Sequence, residues 1–270
     1  MKDFHHPVVW ASEPIPVRTR DIVRSWWKPA ACVTVIAVLS GAFIGNQGAC
    51  EDLPDFEGIK DTDERKAAFI AHLVPMVEEA NREVAQSRTK LLAIGTAMES
   101  GTTVTSVQQN FVKALARSHG IDEVEVVDRT LVANLLKRVD SLPVSLVVAQ
   151  AAIESGWGTS RFTRHGNNLF GMRDYDSGSG LVPRERPAGE TFEVAVFPTP
   201  CDCLRAYLRN INTHEGYAEL RELRARLRAG GGRVTGERLS AGLLNYSERG
   251  ADYVDLVRSV ISGNELGRFD

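Results

Sequence analysis

The residues able to do chemistry gather where an apolar run ends in a carboxylate. In "SLPVSLVVAQAAIESGWGTSRF", Val147, Val148, Ala151 and Ala152 make the segment before Glu154 almost wholly apolar. Such a helix is buried and central. Two effects then act on Glu154 in the same direction. A helix C-terminus carries negative partial charge, and apolar surroundings disfavour the ionised carboxyl. Folding requires neither cost, and Ala or Lys would suit the position better. A carboxyl that keeps its proton near neutral pH is what general-acid catalysis uses. Gly156 and Gly158 allow a sharp turn around Trp157, whose ring can desolvate a carboxyl or stack on a sugar face. Gln150 and Ile153 share this segment with Glu154. Local spacing leaves a second reading open, an ion pair from Glu154 to Arg161 or Arg164. His165 beside them reads as a surface or hydrogen-bonding residue.

The elements that must position this stretch are mainly helical. In "DERKAAFIAHLVPMVEEANREVAQSRTKLLAI" the residues Phe69, Ile70, Leu73, Val74 and Met76 form a helical stripe. Pro75 is expected to kink or restart that helix. A second helix, "SVQQNFVKALARSHG", stops at Gly120. "EVEVVDRTLVANLLKRVD" turns helical in its second half. Ser141 is the expected N-cap of the next helix, with Pro143 in its first turn. The chain then becomes rich in Gly, Pro and Ser. Thr191 to Phe197 reads as a strand of a short hairpin, with Pro187-Ala188-Gly189 near its turn. Helix returns through "CDCLRAYLRNINTHEGYAELRELRARLRAGG". Its Arg221, Arg224, Arg226 and Arg228 suit a solvated face, with a wall-polymer patch as the other reading. The last helices break at Gly250.

The N-terminus reads as a targeting segment. Arg18, Arg20, Arg24 and Lys28 precede an apolar run from Pro29 to Gly45, and Trp26 and Trp27 stand at its start. That pattern suits a signal peptide or a tight membrane anchor, with the functional part exported. "GNQGAC" offers a small-residue cleavage site, or a weak lipoprotein site at Cys50. The four cysteines are too few for a disulfide scaffold. Cys201 and Cys203 are too near each other for a comfortable bridge, so all four read as plain, partly buried thiols. The 270 residues allow one or two domains, and a formal net charge of -3 gives no bias toward nucleic acid.

The stretch Ala151 to Arg173, "AAIESGWGTSRFTRHGNNLFGMR", resembles the signature of glycoside hydrolase family 73, the bacterial N-acetylglucosaminidases of cell-wall turnover. Within it the similarity is to the Bax-type proteins of Gram-negative bacteria. The likeness continues through "VFPTPCDCLRAYLRNINTHEGYAELRELR" and "LLNYSERGADYVDLVRSVI", and spans roughly residues 57 to 265. The resemblance implies a mainly α (α+β), lysozyme-like fold with a small β-hairpin lobe beside a sugar-binding groove. The domain layout is then 1–50 signal peptide or anchor, 51–140 helical extension packing on the catalytic domain, and 141–270 glucosaminidase domain.

It also implies the activity, hydrolysis of the β-1,4 bond after N-acetylglucosamine in peptidoglycan, with Glu154 as catalytic acid. The second carboxylate is expected on the hairpin segment "VPRERPAGETFEV", with Glu185 first and Glu190 and Glu193 behind it. Tyr253 matches a groove-facing tyrosine near the acid, with Tyr246 as its alternative. Asn167, Asn168 and Phe170 match a family segment. Trp157, Asn168, Phe170 and Tyr246 are the expected substrate-binding residues, and a structural role for the asparagines stays open. No metal or organic cofactor is implied. The partners are peptidoglycan glycan strands in the periplasm or cell envelope, with inner-membrane contact through residues 29–45. The alternatives are a lytic transglycosylase acting after N-acetylmuramic acid and a non-catalytic wall-binding module.

Overall fold

The structure, a computed structural model, describes residues 50, 52–175, 178–184, 186 and 189–270. The targeting segment, the apolar run 29–45 and Glu185 lie outside the described residues. No described helix is long and apolar enough to cross a membrane.

Helix α1, Thr62–Glu99, starts at Asp61, whose side chain accepts from the amides of Asp63 and Glu64. It runs unbroken through Pro75, which neither kinks the chain into two helices nor restarts it. Pro75 lies on the exposed side of the helix, where a carbonyl left without its intrahelical donor still meets water. The expected stripe is buried, from Phe69 through Val77 to Ala80. This first half of α1 joins the main core. Its second half supplies Leu91 and Ile94 to a separate cluster with Val112, Ala116, Val132, Leu135 and Val139. Those come from α2, Ser106–Ser118, capped by a Thr105–Gln108 box, and α3, Arg129–Arg138.

Helix α4, Val144–Ser155, is the centre of the molecule. Every residue of it is buried except Ile153 and Glu154. Ser141 does not cap it. Pro143 holds the N-cap position and has no side chain to offer the first amides. Asp270 caps the helix instead. Its carboxylate accepts from the Ser145 amide at 3.0 Å, the Ser145 hydroxyl at 2.7 Å and the Gly236 amide at 2.8 Å. A negative charge there also complements the helix dipole.

After α5, Arg161–Gly166, the chain enters the β lobe. Its strands are short. β1, Arg173–Asp174, pairs antiparallel with β2, Glu193–Val194, in the register Arg173 to Val194 and Asp174 to Glu193. The sequence located the β2 side; its partner directly follows the "GNNLFG" turn, and Leu181 adds one bridge to Val194. Then follow α6, Pro200–Thr213, α7, Ala218–Ala229, α8, Gly236–Leu239, and α9, Ala251–Gly263. As expected, α9 begins just after Gly250.

The α7 arginines do not form a solvated face. Arg221 and Arg224 are buried. Arg224 and Arg228 converge on Asp140, which is 2% exposed, together with Arg88 from α1. Arg224 also donates to the Asn212 side chain and to the carbonyls of Lys137, Asp140 and Ser141. This buried ion cluster joins α1, α3, α6 and α7. Helix faces alone cannot reveal it, because the Asp140 partner lies more than a helix length away in sequence.

The cysteines also depart from expectation. Cys50 and Cys201 form a disulfide, with Cα atoms 5.6 Å apart and 151 residues between them in sequence. A sulfur in that bond cannot carry a lipid thioether. Cys203 stays a buried free thiol, pushed up to about 12 by desolvation.

Candidate active site

The carboxyl of Glu154 sits at the end of the buried helix. After Ser155, the last residue of the helix, three successive residues are left-handed, Gly156 at φ 58°, Trp157 at 59° and Gly158 at 81°. Glycine adopts this backbone freely and tryptophan does not. The turn is held by Trp157 N–H to Ala152 O at 2.9 Å and Gly158 N–H to Ser155 Oγ at 2.9 Å. At Gly158 a Cβ would overlap the Phe56 ring. The chain therefore leaves α4 abruptly, and Glu154 is left at the rim.

Arg161 and Arg164 do not pair with Glu154. Arg161 donates to Val182 O at 2.7 Å, and Arg164 forms an ion pair with Glu57. That removes the ion-pair reading of the glutamate. Its Oε1 accepts a hydrogen bond from the Tyr253 hydroxyl at 2.7 Å. Its Oε2 is buried and has no hydrogen-bond partner among the described residues. Desolvation raises its pKa from 4.5 to about 7, against the opposing Tyr253 bond and the Arg249 charge. Burial thus outweighs both groups that favour the carboxylate. At neutral pH Glu154 is divided between acid and base forms, as a proton donor near pH 7 must be.

Four tyrosines surround this carboxyl. Tyr253 on α9 stacks on Tyr246, with centroids 5.1 Å apart, and Tyr246 lies 6.0 Å from Tyr217. Tyr207 on α6 is fully buried and stacks on Phe170 at 3.9 Å. Desolvation, with the Glu154 charge behind it, raises all four phenols above their ordinary value. They remain neutral hydrogen-bonding groups. Behind them Gln150 receives the Tyr207 hydroxyl on Oε1 at 2.6 Å and donates Nε2–H to the Tyr253 oxygen at 3.2 Å.

The structure therefore brings together Glu154, Tyr253 and Tyr246 among the sequence-selected residues. Phe170 is buried beneath Tyr207, 2% exposed. Asn168 is 1% exposed, and its amide is committed to the turn. It donates to Met172 O and Ala195 O and accepts from the Phe170 and Met172 amides. Asn167, left-handed at φ 51°, donates to Phe197 O at 3.0 Å. Trp157 is half-buried, edge-on to Phe69 at 5.7 Å, with the Lys66 ammonium 5.8 Å over its ring. These contacts face α1.

On the hairpin, Glu193 is buried and accepts from the Gly178 and Gly180 amides at 3.0 and 2.7 Å, which lower its pKa. It thereby ties the loop to β2. Glu190 is exposed, and the Glu185 assignment falls outside the described residues. His165 is exposed. Among the described residues no three His, Cys, Asp or Glu side chains gather as a metal site. Sequence reasoning missed Tyr207, Tyr217 and Arg249 as neighbours of Glu154. One available signal was Gln150, a polar residue one helical turn before Glu154 on the same buried face.

Comparison with known proteins finds a family and a relative. A family model described as glucosaminidase, mannosyl-glycoprotein endo-beta-N-acetylglucosaminidase, matches residues 130–266. That span holds α4, the tyrosine cluster and the β lobe. The Bax protein of Escherichia coli strain K12 is 28% identical over 220 residues, covering 82% of this chain and 77% of the relative. No solved structure matches the chain.

Proposed function

The chain belongs to the glucosaminidase family of glycoside hydrolases, and on that premise we propose that it cleaves the β-1,4 bond after N-acetylglucosamine in peptidoglycan, with Glu154 as the general acid. The observation that carries this reading is the Glu154 carboxyl. It is buried at the end of an apolar helix, and among the described residues only Tyr253 bonds it, on one oxygen. Its pKa is raised to about 7. Protonation of the leaving glycosidic oxygen needs such a group in every common glycosidase mechanism.

The second step has three routes. Glu185 activates water across the sugar ring and inverts the anomeric carbon, or attacks directly and retains it, or the substrate's own 2-acetamido oxygen attacks while Tyr253 orients it. A carboxylate separation of roughly 6.5–9.5 Å belongs to the first route and about 5–5.5 Å to the second.

We read residues 141–270 as the catalytic unit and 51–140 as its helical extension. The substrate places the enzyme in the cell envelope. The Cys50–Cys201 bond suits an oxidising periplasm, with residues 29–45 as signal or anchor.

Digestion of purified peptidoglycan followed by mass spectrometry tests the bond. Reducing N-acetylglucosamine ends are expected. Anhydro-muropeptides would replace this reading with that of a lytic transglycosylase, and an undigested wall bound by the protein would replace it with that of a binding module.

A further inference from the structure

The groups behind Glu154 form a hydrogen-bond chain whose direction can be worked out atom by atom. Tyr207 is 1% exposed, and its hydroxyl lies 2.6 Å from Gln150 Oε1. An amide oxygen only accepts, so Tyr207 donates. This turns the Gln150 amide so that Nε2 faces the Tyr253 hydroxyl at 3.2 Å. An amide nitrogen only donates, so the Tyr253 oxygen accepts. The single Tyr253 proton is then left for Glu154 Oε1, 2.7 Å away. The reverse amide orientation would set the Gln150 NH2 against Tyr207 and strand the Tyr207 proton in the core, beneath the stacked Phe170 ring.

We propose that Tyr207, acting through Gln150, is a positioning residue that turns the Tyr253 proton onto Glu154 Oε1 and so assigns the transferable proton of Glu154 to Oε2. Two protons cannot share the Tyr253–Oε1 contact, so a protonated Glu154 carries its own on the other oxygen. Oε2 is buried and has no partner among the described residues. It rests on Glu154 being the acid.

Tyr207→Phe removes one buried hydroxyl and opens little space. It also frees the Gln150 amide to reverse and take the Tyr253 proton. Glu154 then loses a bond that favours its charged form, so its pKa rises. The alkaline limb of kcat/KM is expected to move up by about half a unit to one unit. kcat should fall roughly tenfold, with KM unchanged because neither buried side chain reaches substrate. Gln150→Met alone leaves Tyr253 no other acceptor, so the limb should stay at its wild-type pH. The double variant Tyr207→Phe with Gln150→Met should return the limb to that pH, which loss of packing alone would not do. A wild-type limb in a folded Tyr207→Phe protein would overturn the proposal. So would a limb that moves as far in Gln150→Met. Full activity in Glu154→Gln would instead sink the acid assignment beneath it.

Discussion

Glu154→Gln is expected to cut turnover of peptidoglycan by about 10³-fold and, at the same time, to make the protein more stable above neutral pH. The first effect follows from loss of the proton donor. The glutamine retains an oxygen for the Tyr253 hydroxyl, so the tyrosine cluster need not rearrange. The second follows from linkage. Glu154 titrates at about 7 in the folded chain against 4.5 as its ordinary value. Between those values the folded state holds a proton that the unfolded state has released. Stability therefore falls as pH rises through this window, and the full cost persists above pH 7. A raised pKa of this size corresponds to about 3 kcal/mol. A neutral glutamine avoids that cost. Its Tm should exceed wild type by roughly 5–10 °C at pH 8 and match it near pH 4. Paired thermal melts at the two pH values check this. An equal or lower Tm at pH 8 would mean that Glu154 is not held in the desolvated site described.

The second large effect belongs to the Cys50–Cys201 disulfide. It closes a loop with a sequence separation of 151 residues. Constraint of so long a loop in the unfolded chain is worth about 5 kcal/mol in the chain-entropy treatment, near the top of the range for native bridges. Cys50→Ser, at an exposed position, should therefore lower the urea midpoint strongly. Reductant should lower the wild-type midpoint to the same value and leave Cys50→Ser unmoved. Thiol exchange within the fold does not rescue the bond, because burial holds the Cys203 thiol protonated with its pKa at about 12. A wild-type midpoint indifferent to reductant would contradict the bridge.

These two predictions differ in how far the sequence discloses them. Glu154 announces itself locally, since a carboxylate that ends a run of Val and Ala serves no folding purpose. Gly156 and Gly158 mark the turn for an equally local reason. The stripe on α1, the break at Gly250 and the strand near Val194 follow from side-chain period and from glycine. What was hidden depends on partners distant in the chain. Cys50 meets Cys201, Asp270 caps the helix that Ser141 was expected to cap, and Asp140 gathers Arg88, Arg224 and Arg228. No local spacing encodes such pairings. Pro75 shows the converse, a strong local signal overruled by a helix long enough, and buried enough on one face, to absorb one missing hydrogen bond. Of the site, Tyr253 and Tyr246 came through family likeness, whereas Tyr207 and Tyr217 emerge only when α6 and the turn after it fold against α4.

The most direct measurement is the titration of the Glu154 carboxyl itself. Infrared difference spectra of wild type against Glu154→Gln, recorded from pH 4 to pH 9, isolate the protonated carboxyl band of this one residue. The band should persist through pH 6 and disappear with a midpoint near 7, alongside the alkaline limb of kcat/KM. A midpoint near the ordinary carboxylate value of 4.5 would contradict the account, because Glu154 would then hold no proton to give at the pH where the enzyme works.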